Sequence, residues 1–427
     1  MVAGLGSVYL AGCGGLTGSH GAPTPTPVHV LQGLPDTVVP LGLGVNVHFN
    51  TASDTNAEIE WLADLGFRFV RLDLLWNLVE QEKGQYDFSS YEGLVGALSA
   101  HHIRSLCILA YNNPLYDNTP SPPSTVVGPH TEEARKAFGR FAAASAAKFK
   151  GLGVVWEIWN EPDLDRFWQP KPNPDDYMAL AKVAISAMRQ ADPNAIIVAP
   201  ALTGLEPKYQ EAWNFLERCF VLGLLDHVDS LSVHPYRLGP PESAPFDFQR
   251  LRTLIASYAP KGKANMPIIS SEWGYSLTWV SQEQQAAYFV RLFLINLLNN
   301  LPLSIWYDWR DDGPDSKQME QNFGIVKWNG QPKMVYFAVQ TLTRELAGFR
   351  LERQVPLNSD ADYALLFANG AIRKQVLWIT DKSHSVTLPA QGSSVTVTSM
   401  TGEKRTFPTT DGKLVLELTG SPQYLML

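Results

Sequence analysis

Val154-Val155-Trp156-Glu157-Ile158-Trp159-Asn160-Glu161-Pro162 is the stretch on which the reading of this chain turns. It starts as an apolar, strand-prone run and ends in a polar pair, with a proline that keeps helix from starting at once. A second run, Ser270-Ser271-Glu272-Trp273-Gly274, closes an apolar approach in the same way. Each delivers one glutamate at the end of a strand, which is where a parallel barrel opens its cleft.

Outward from these runs, short apolar segments alternate with amphipathic helices. Strands are expected at 41–49, 67–74, 104–111, 154–161, 195–202, 228–236, 267–273 and 302–309. Helices are expected at 54–65, 131–150, 174–191 and 281–299 among others, several opened by Ser, Thr, Asp or Pro. Strands that are apolar throughout, each followed by a helix, predict a parallel sheet covered on its outer face. Repeated eight times, the pattern predicts an α/β fold, a (β/α)8 TIM barrel. A doubly wound sheet is the rival, but no Gly-rich first turn or dinucleotide fingerprint is present.

After residue 350 the helical period gives way to short alternating segments at 364–367, 375–380, 385–388, 394–399, 413–418 and 423–427, the pattern of a small antiparallel β-sandwich. The expected division is 1–27 as a lipoprotein-type signal and flexible tether, 28–348 as the barrel, and 349–427 as a sandwich that buttresses it. The segment 28–40 is placed to add a strand to that sandwich.

The chain has 427 residues, too many for one ordinary domain, and its 45% apolar content supports a sizeable core. Net charge is −8 with no basic run, which argues against nucleic acid as a partner. Three cysteines provide no paired framework and no zinc spacing. Cys107 and Cys219 read as buried thiols. Leu10-Ala11-Gly12-Cys13 matches a bacterial lipobox, although the stretch before it is short and lacks Lys or Arg. Export, with Cys13 lipidated as a membrane anchor and the protein periplasmic or released, is the expectation. No metal and no cofactor is expected.

Polar residues cluster at the expected strand ends: His48, Arg71, Asn112, Asn160, Glu161, His234, Tyr236 and Glu272. Two carboxyls facing one pocket are the minimum equipment for cleaving a glycosidic bond with retention, at a separation of about 5–5.5 Å. Glu161 is expected to be the acid and base, Glu272 the nucleophile, and Asn160 a donor to the sugar 2-OH. A general acid must keep its proton near neutral pH, for which Trp156, Trp159 and Glu272 are the available neighbours. Arg71, His234 and Tyr236 are candidate partners of Glu272. Glu157 lies deeper on the same strand and reads as structural. Trp306 and Trp309, with Tyr307 and Asp308, are expected to form a stacking floor. Trp76, Tyr111, Tyr116, Trp168 and Trp279 are loop aromatics placed to serve as sugar platforms.

Asn160-Glu161-Pro162 and Glu272, with Arg71 and His234-Pro235-Tyr236, resemble the motifs of clan A glycoside hydrolases. Phe69–Trp76, Gly84–Phe88 and Trp156–Asp163 more narrowly resemble glycoside hydrolase family 39, and within it the PslG-type branch. The resemblance covers roughly residues 30–427 and implies an endoglycosidase of biofilm exopolysaccharide, acting as a monomer on a polysaccharide or oligosaccharide. The alternatives are an exo-acting β-xylosidase-like enzyme and a carbohydrate-binding barrel without catalysis.

Overall fold

Eight apolar runs close into a parallel barrel in the computed structural model, which describes residues 33–49, 55–116 and 126–427. The strands are β1 (Leu43–Asn46), β2 (Phe69–Leu75), β3 (Arg104–Ala110), β4 (Val155–Ile158), β5 (Ile196–Thr203), β6 (Ser230–His234), β7 (Ile268–Trp273) and β8 (Ser304–Trp306). Closure comes from β1, which pairs in parallel with both β2 and β8. Side chains alternate across each strand. On one face, Phe69, Leu106, Ile108, Val155, Val198, Ile269, Leu303 and Ile305 fill the barrel interior. On the other, Val70, Leu72, Leu74, Cys107 and Leu109 pack into the core shared with the helices.

This alternation decides where polar residues sit. Arg71 and Asp73 follow Phe69 on the inward face of β2, and Glu157 follows Val155 on β4. The helices are closed at their starts by local bonds: the Asn173 side chain accepts from Asp175 N and Asp176 N, and Ser281 with Gln284 forms a capping box.

The C-terminal part holds β9 (Arg350–Gln354), β10 (Asp362–Asn369), β11 (Ile372–Ile379), β12 (His384–Pro389), β13 (Ser394–Thr398), β14 (Lys404–Pro408), β15 (Lys413–Leu418) and β16 (Gln423–Met426). Six of these form one sheet in the order β14-β13-β16-β11-β10-β9, and β12 pairs with β15. The middle strands of the large sheet are buried on both faces. Ala364, Leu377 and Leu425 meet Val386, Leu388, Leu414 and Leu416 of the small sheet. Their sequence neighbours Leu365, Val376, Trp378 and Tyr424 join the barrel core.

Two strands depart from the expectation. β9 and β14 are charged and largely exposed, so neither shows an apolar alternation. Of the segment expected to extend the sandwich, the described part contributes one antiparallel bridge, Val38 to Arg350. Cys107 and Cys219 are buried free thiols. The lipobox cysteine Cys13 and the tether lie outside the described residues. Among those described, no helix is long and apolar enough to cross a membrane.

One ionic knot joins barrel and sandwich. Arg291 donates through Nε and Nη2 to both oxygens of Glu242 at 2.7 Å, and Trp378 Nε1 of β11 donates to Glu242 Oε1 at 2.7 Å. Removing Glu242 would leave a buried guanidinium without its counter-ion. A Glu242→Ala variant is therefore expected to lose about 3–5 kcal/mol of stability in denaturant unfolding. Glu242→Gln, which keeps an acceptor for Trp378, should lose less.

Candidate active site

Arg71 lies sealed in the barrel, and each of its five N–H groups has an acceptor. Nε donates to Glu157 Oε2 at 2.8 Å. Nη1 donates to Asn46 Oδ1 at 3.2 Å and to Glu272 Oε2 at 2.6 Å. Nη2 donates to Asn160 Oδ1 at 2.7 Å and to His234 Nε2 at 3.3 Å. One side chain thus reaches β1, β4, β6, β7 and the turn after β4. Two carboxylates offset the cost of burying the cation.

The same contacts fix the state of His234. A guanidinium has no lone pair to offer, so Nε2 accepts and Nδ1 carries the hydrogen. Nδ1 then donates to Glu161 Oε1 at 2.8 Å. Burial lowers the imidazole pKa, and Arg71 adds to that; Glu272 and the bond to Glu161 outweigh both and hold it above its ordinary value.

The two glutamates differ in their bonds. Glu272 accepts on both oxygens, from Arg71 on Oε2 and from the Tyr236 hydroxyl on Oε1 at 2.9 Å. Burial, then Glu272, push the Tyr236 phenol well above its usual value, so it stays a donor. Glu161 accepts on Oε1 alone, and its buried Oε2 has no partner. An oxygen of each and a ring nitrogen of His234 lie within 4.8 Å of one another. That spacing suits a retaining pair and leaves no room for the water an inverting pair holds between its carboxyls. These three residues are also a possible metal-binding trio, but Arg71 already sets a positive charge against Glu272 and His234.

Glu161 reaches this position through an unusual backbone. β4 ends at Ile158, and the turn beyond it carries Trp159 at φ 69° and Glu161 at φ 46°. Non-glycine residues avoid this left-handed region, at a cost of order 1 kcal/mol each. The bonds of Asn160 to Arg71 and of Glu161 to His234 hold the turn.

The structure brings Arg71, Asn160, Glu161, His234, Tyr236 and Glu272 together and takes other expected residues away from the cleft. Trp76 is fully buried between Tyr116 and Phe141, and its Nε1 donates to Glu80 Oε2 at 2.5 Å. Trp168 is enclosed by His130, Trp159 and Tyr177. Trp306 points outward onto Phe289, and Trp309 packs on Trp61. None of the four can stack on a sugar, because each takes the outward, core-filling alternative at its position. Trp156 and Trp159 also belong to the outer core and do not wall Glu161. The Asn112 amide oxygen accepts from Val127 N at 3.4 Å and so anchors a loop.

Glu157, read as structural, has that part as an acceptor of Arg71. His48 is exposed at the rim, bonded to Asn46 at 3.1 Å. Tyr111, partly buried, stacks on Phe167 and meets the edge of Trp159. Tyr307, the alternate of Trp306, faces His48 and Phe323, and Trp279 sits edge-on to Phe323 at 5.2 Å. Phe323 and two carboxyls, Asp73 and Asp163, were not anticipated. Each Asp stands two residues beyond a site residue, Arg71 or Glu161, and that spacing was the available signal. Phe323 lies in a loop and had none.

Residues 39–313 match the family described as cellulase (glycosyl hydrolase family 5). Over 94 residues, 22% of this chain, the sequence is 30% identical to a β-xylosidase of Geobacillus stearothermophilus; the match spans only 18% of that relative's length. A family 39 glycoside hydrolase from the gut symbiont Bacteroides cellulosilyticus WH2 superposes with a TM-score of 0.79 at 24% identity, over 91% of this chain and 81% of that one. A family 39 β-xylosidase from Caulobacter crescentus gives 0.67 at 18% identity, over 93% and 97%. These likenesses speak to the fold.

Burial, then the nearby Glu161, push the Asp163 carboxyl up to about 7. The folded state therefore holds a proton that the unfolded chain releases near its ordinary 3.8, and stability falls as pH rises through that window. Asp163→Asn keeps an oxygen for Thr203 N, its partner at 3.2 Å. The variant should match the parent near pH 4 and exceed it by ~1 kcal/mol or more at pH 8, read from thermal unfolding at both values.

Proposed function

The chain belongs to the cellulase family (glycosyl hydrolase family 5), and we propose that Glu161 is its acid and base and Glu272 its nucleophile. The observation that carries this assignment is the unequal bonding of the two carboxyls. Glu272 accepts on both oxygens, one bond coming from a guanidinium, and each oxygen keeps a further lone pair, which suits a group that attacks carbon. Glu161 keeps Oε2 unpartnered, a site from which a proton can pass to a leaving oxygen.

In the first step a Glu272 oxygen bonds to the anomeric carbon as the bond from that carbon to the glycosidic oxygen breaks. The leaving oxygen takes the proton of Glu161. In the second step Glu161 draws a proton from water, the water oxygen bonds to the anomeric carbon, and Glu272 is released. Two inversions give net retention. Asn160, fixed through Oδ1 by Arg71, has its NH2 free to donate to the sugar 2-OH.

The substrate we propose is a bacterial extracellular polysaccharide of the biofilm matrix, cut at internal β-linkages. Support comes from the resemblance of 69–76, 84–88 and 156–163 to family 39 and, for the branch, from chain length, motif spacing and the lipobox at Cys13. The second reading, an exo-acting β-xylosidase-like enzyme, is favoured by the names of two relatives. The two readings differ in product size. On a panel of bacterial exopolysaccharides, endo action releases oligosaccharides from the first minutes, read by mass. Release of single sugars alone would replace the first reading with the second.

Glu272→Gln is expected to lower kcat by about 10⁴-fold or more on every substrate. Glu161→Gln should cost about 10²–10⁴-fold on sugar leaving groups, but far less on 2,4-dinitrophenyl glycosides, which leave without a proton. Equal losses on both substrate types would contradict the role given to Glu161.

A further inference from the structure

The assignment of Glu161 and Glu272 leaves one inward carboxyl of the barrel mouth without a task. Asp73 lies two residues beyond Arg71 on β2, on the same inward face. Strand register aligns Arg71 with Leu106 and Val155, and Asp73 with Ile108 and Glu157, one layer nearer the mouth. Arg71 and Glu157 are sealed, whereas Asp73 is partly exposed. It therefore borders the space that a sugar must enter to reach Glu272.

The cation that acts on Asp73, Arg71, has its donors engaged elsewhere. All five N–H groups of Arg71 are directed to other acceptors. Among the described residues, no hydrogen bond is made to the Asp73 carboxyl. Its charge is opposed by burial and, across the barrel, by Glu272 and Glu157, with Arg71 as the countering group.

We propose that Asp73 determines specificity. Its carboxylate accepts hydrogen bonds from hydroxyl or amine groups of the sugar at the cleavage point and turns away a sugar that carries a carboxylate there. The substrates of this site are then neutral or amine-bearing glycans, and uronate polymers are excluded. This rests on the reading of Glu161 and Glu272 as the reacting pair.

The test compares three substrates with one leaving group: 4-nitrophenyl β-glucoside, β-glucosaminide and β-glucuronide. For the parent enzyme, kcat/KM on the glucuronide should lie at least about tenfold below the glucoside. In Asp73→Asn that gap should narrow by about fivefold or more, mainly through KM, while the glucosaminide weakens relative to the glucoside. Asp73→Ser, with thermal unfolding run alongside, should move the ratios in the same direction. A purely structural role would lower all three substrates together. Unchanged ratios, or a parent that cleaves the glucuronide as readily as the glucoside, would overturn the proposal. A parent inert towards all three glycosides and towards the polysaccharides would strike the assignment of Glu161 and Glu272, and this inference with it.

Discussion

Arg71 is a buried cation with no spare hydrogen, and the arrangement of the site follows from satisfying it. Five acceptors from β1, β4, β6, β7 and the turn after β4 converge on one planar group. A guanidinium is rigid, so acceptors that meet it are fixed relative to one another. Asn160 is turned so that its amine faces outward, and His234 is set in the tautomer that donates to Glu161. Glu272 is oriented by a charge-assisted bond of 2.6 Å. Glu157 balances the charge from β4, which accounts for a second buried glutamate on that strand.

The remaining fold keeps those strands still. Glu161 stands in a left-handed turn that relaxes unless held, and its restraints run back through His234 to Arg71. The sandwich adds a brace from outside. Glu242 lies in the loop that follows Tyr236, and Arg291 lies on the helix after β7, the strand that ends beside Glu272. Arg291 and the sandwich's Trp378 both donate to Glu242. Two elements that present Glu272 and its phenol donor Tyr236 are thus tied to one another and to the second domain.

Much of this was legible in the sequence. All eight barrel strands are present at the expected places, because a strand buried on both faces reads as an unbroken apolar run. The polar interruptions at their ends located Arg71, Asn160, Glu161, His234, Tyr236 and Glu272. Position along the chain does not say which way a side chain turns, however. Trp306 and Tyr307 are adjacent and equally aromatic, yet alternation turns the first onto Phe289 and the second toward His48 and Phe323. Trp76, Trp168 and Trp309 were misplaced for the same reason, since abundance of tryptophan does not distinguish a sugar platform from packing. β9 and β14 left no trace because their exposed edge positions carry charge. The motifs resembled family 39, the backbone is similar to family 39 structures, and the family that matches is family 5.

The central claim is that unequal bonding makes Glu272 the attacking group and leaves Glu161 to move the proton. Mass spectrometry after incubation with a 2-deoxy-2-fluoro β-glycoside, whose glycosyl-enzyme breaks down slowly, tests it most directly. A single glycosyl adduct on the peptide that carries Glu272 is the predicted result. An adduct on Glu161, or turnover with inversion and no adduct, would contradict it.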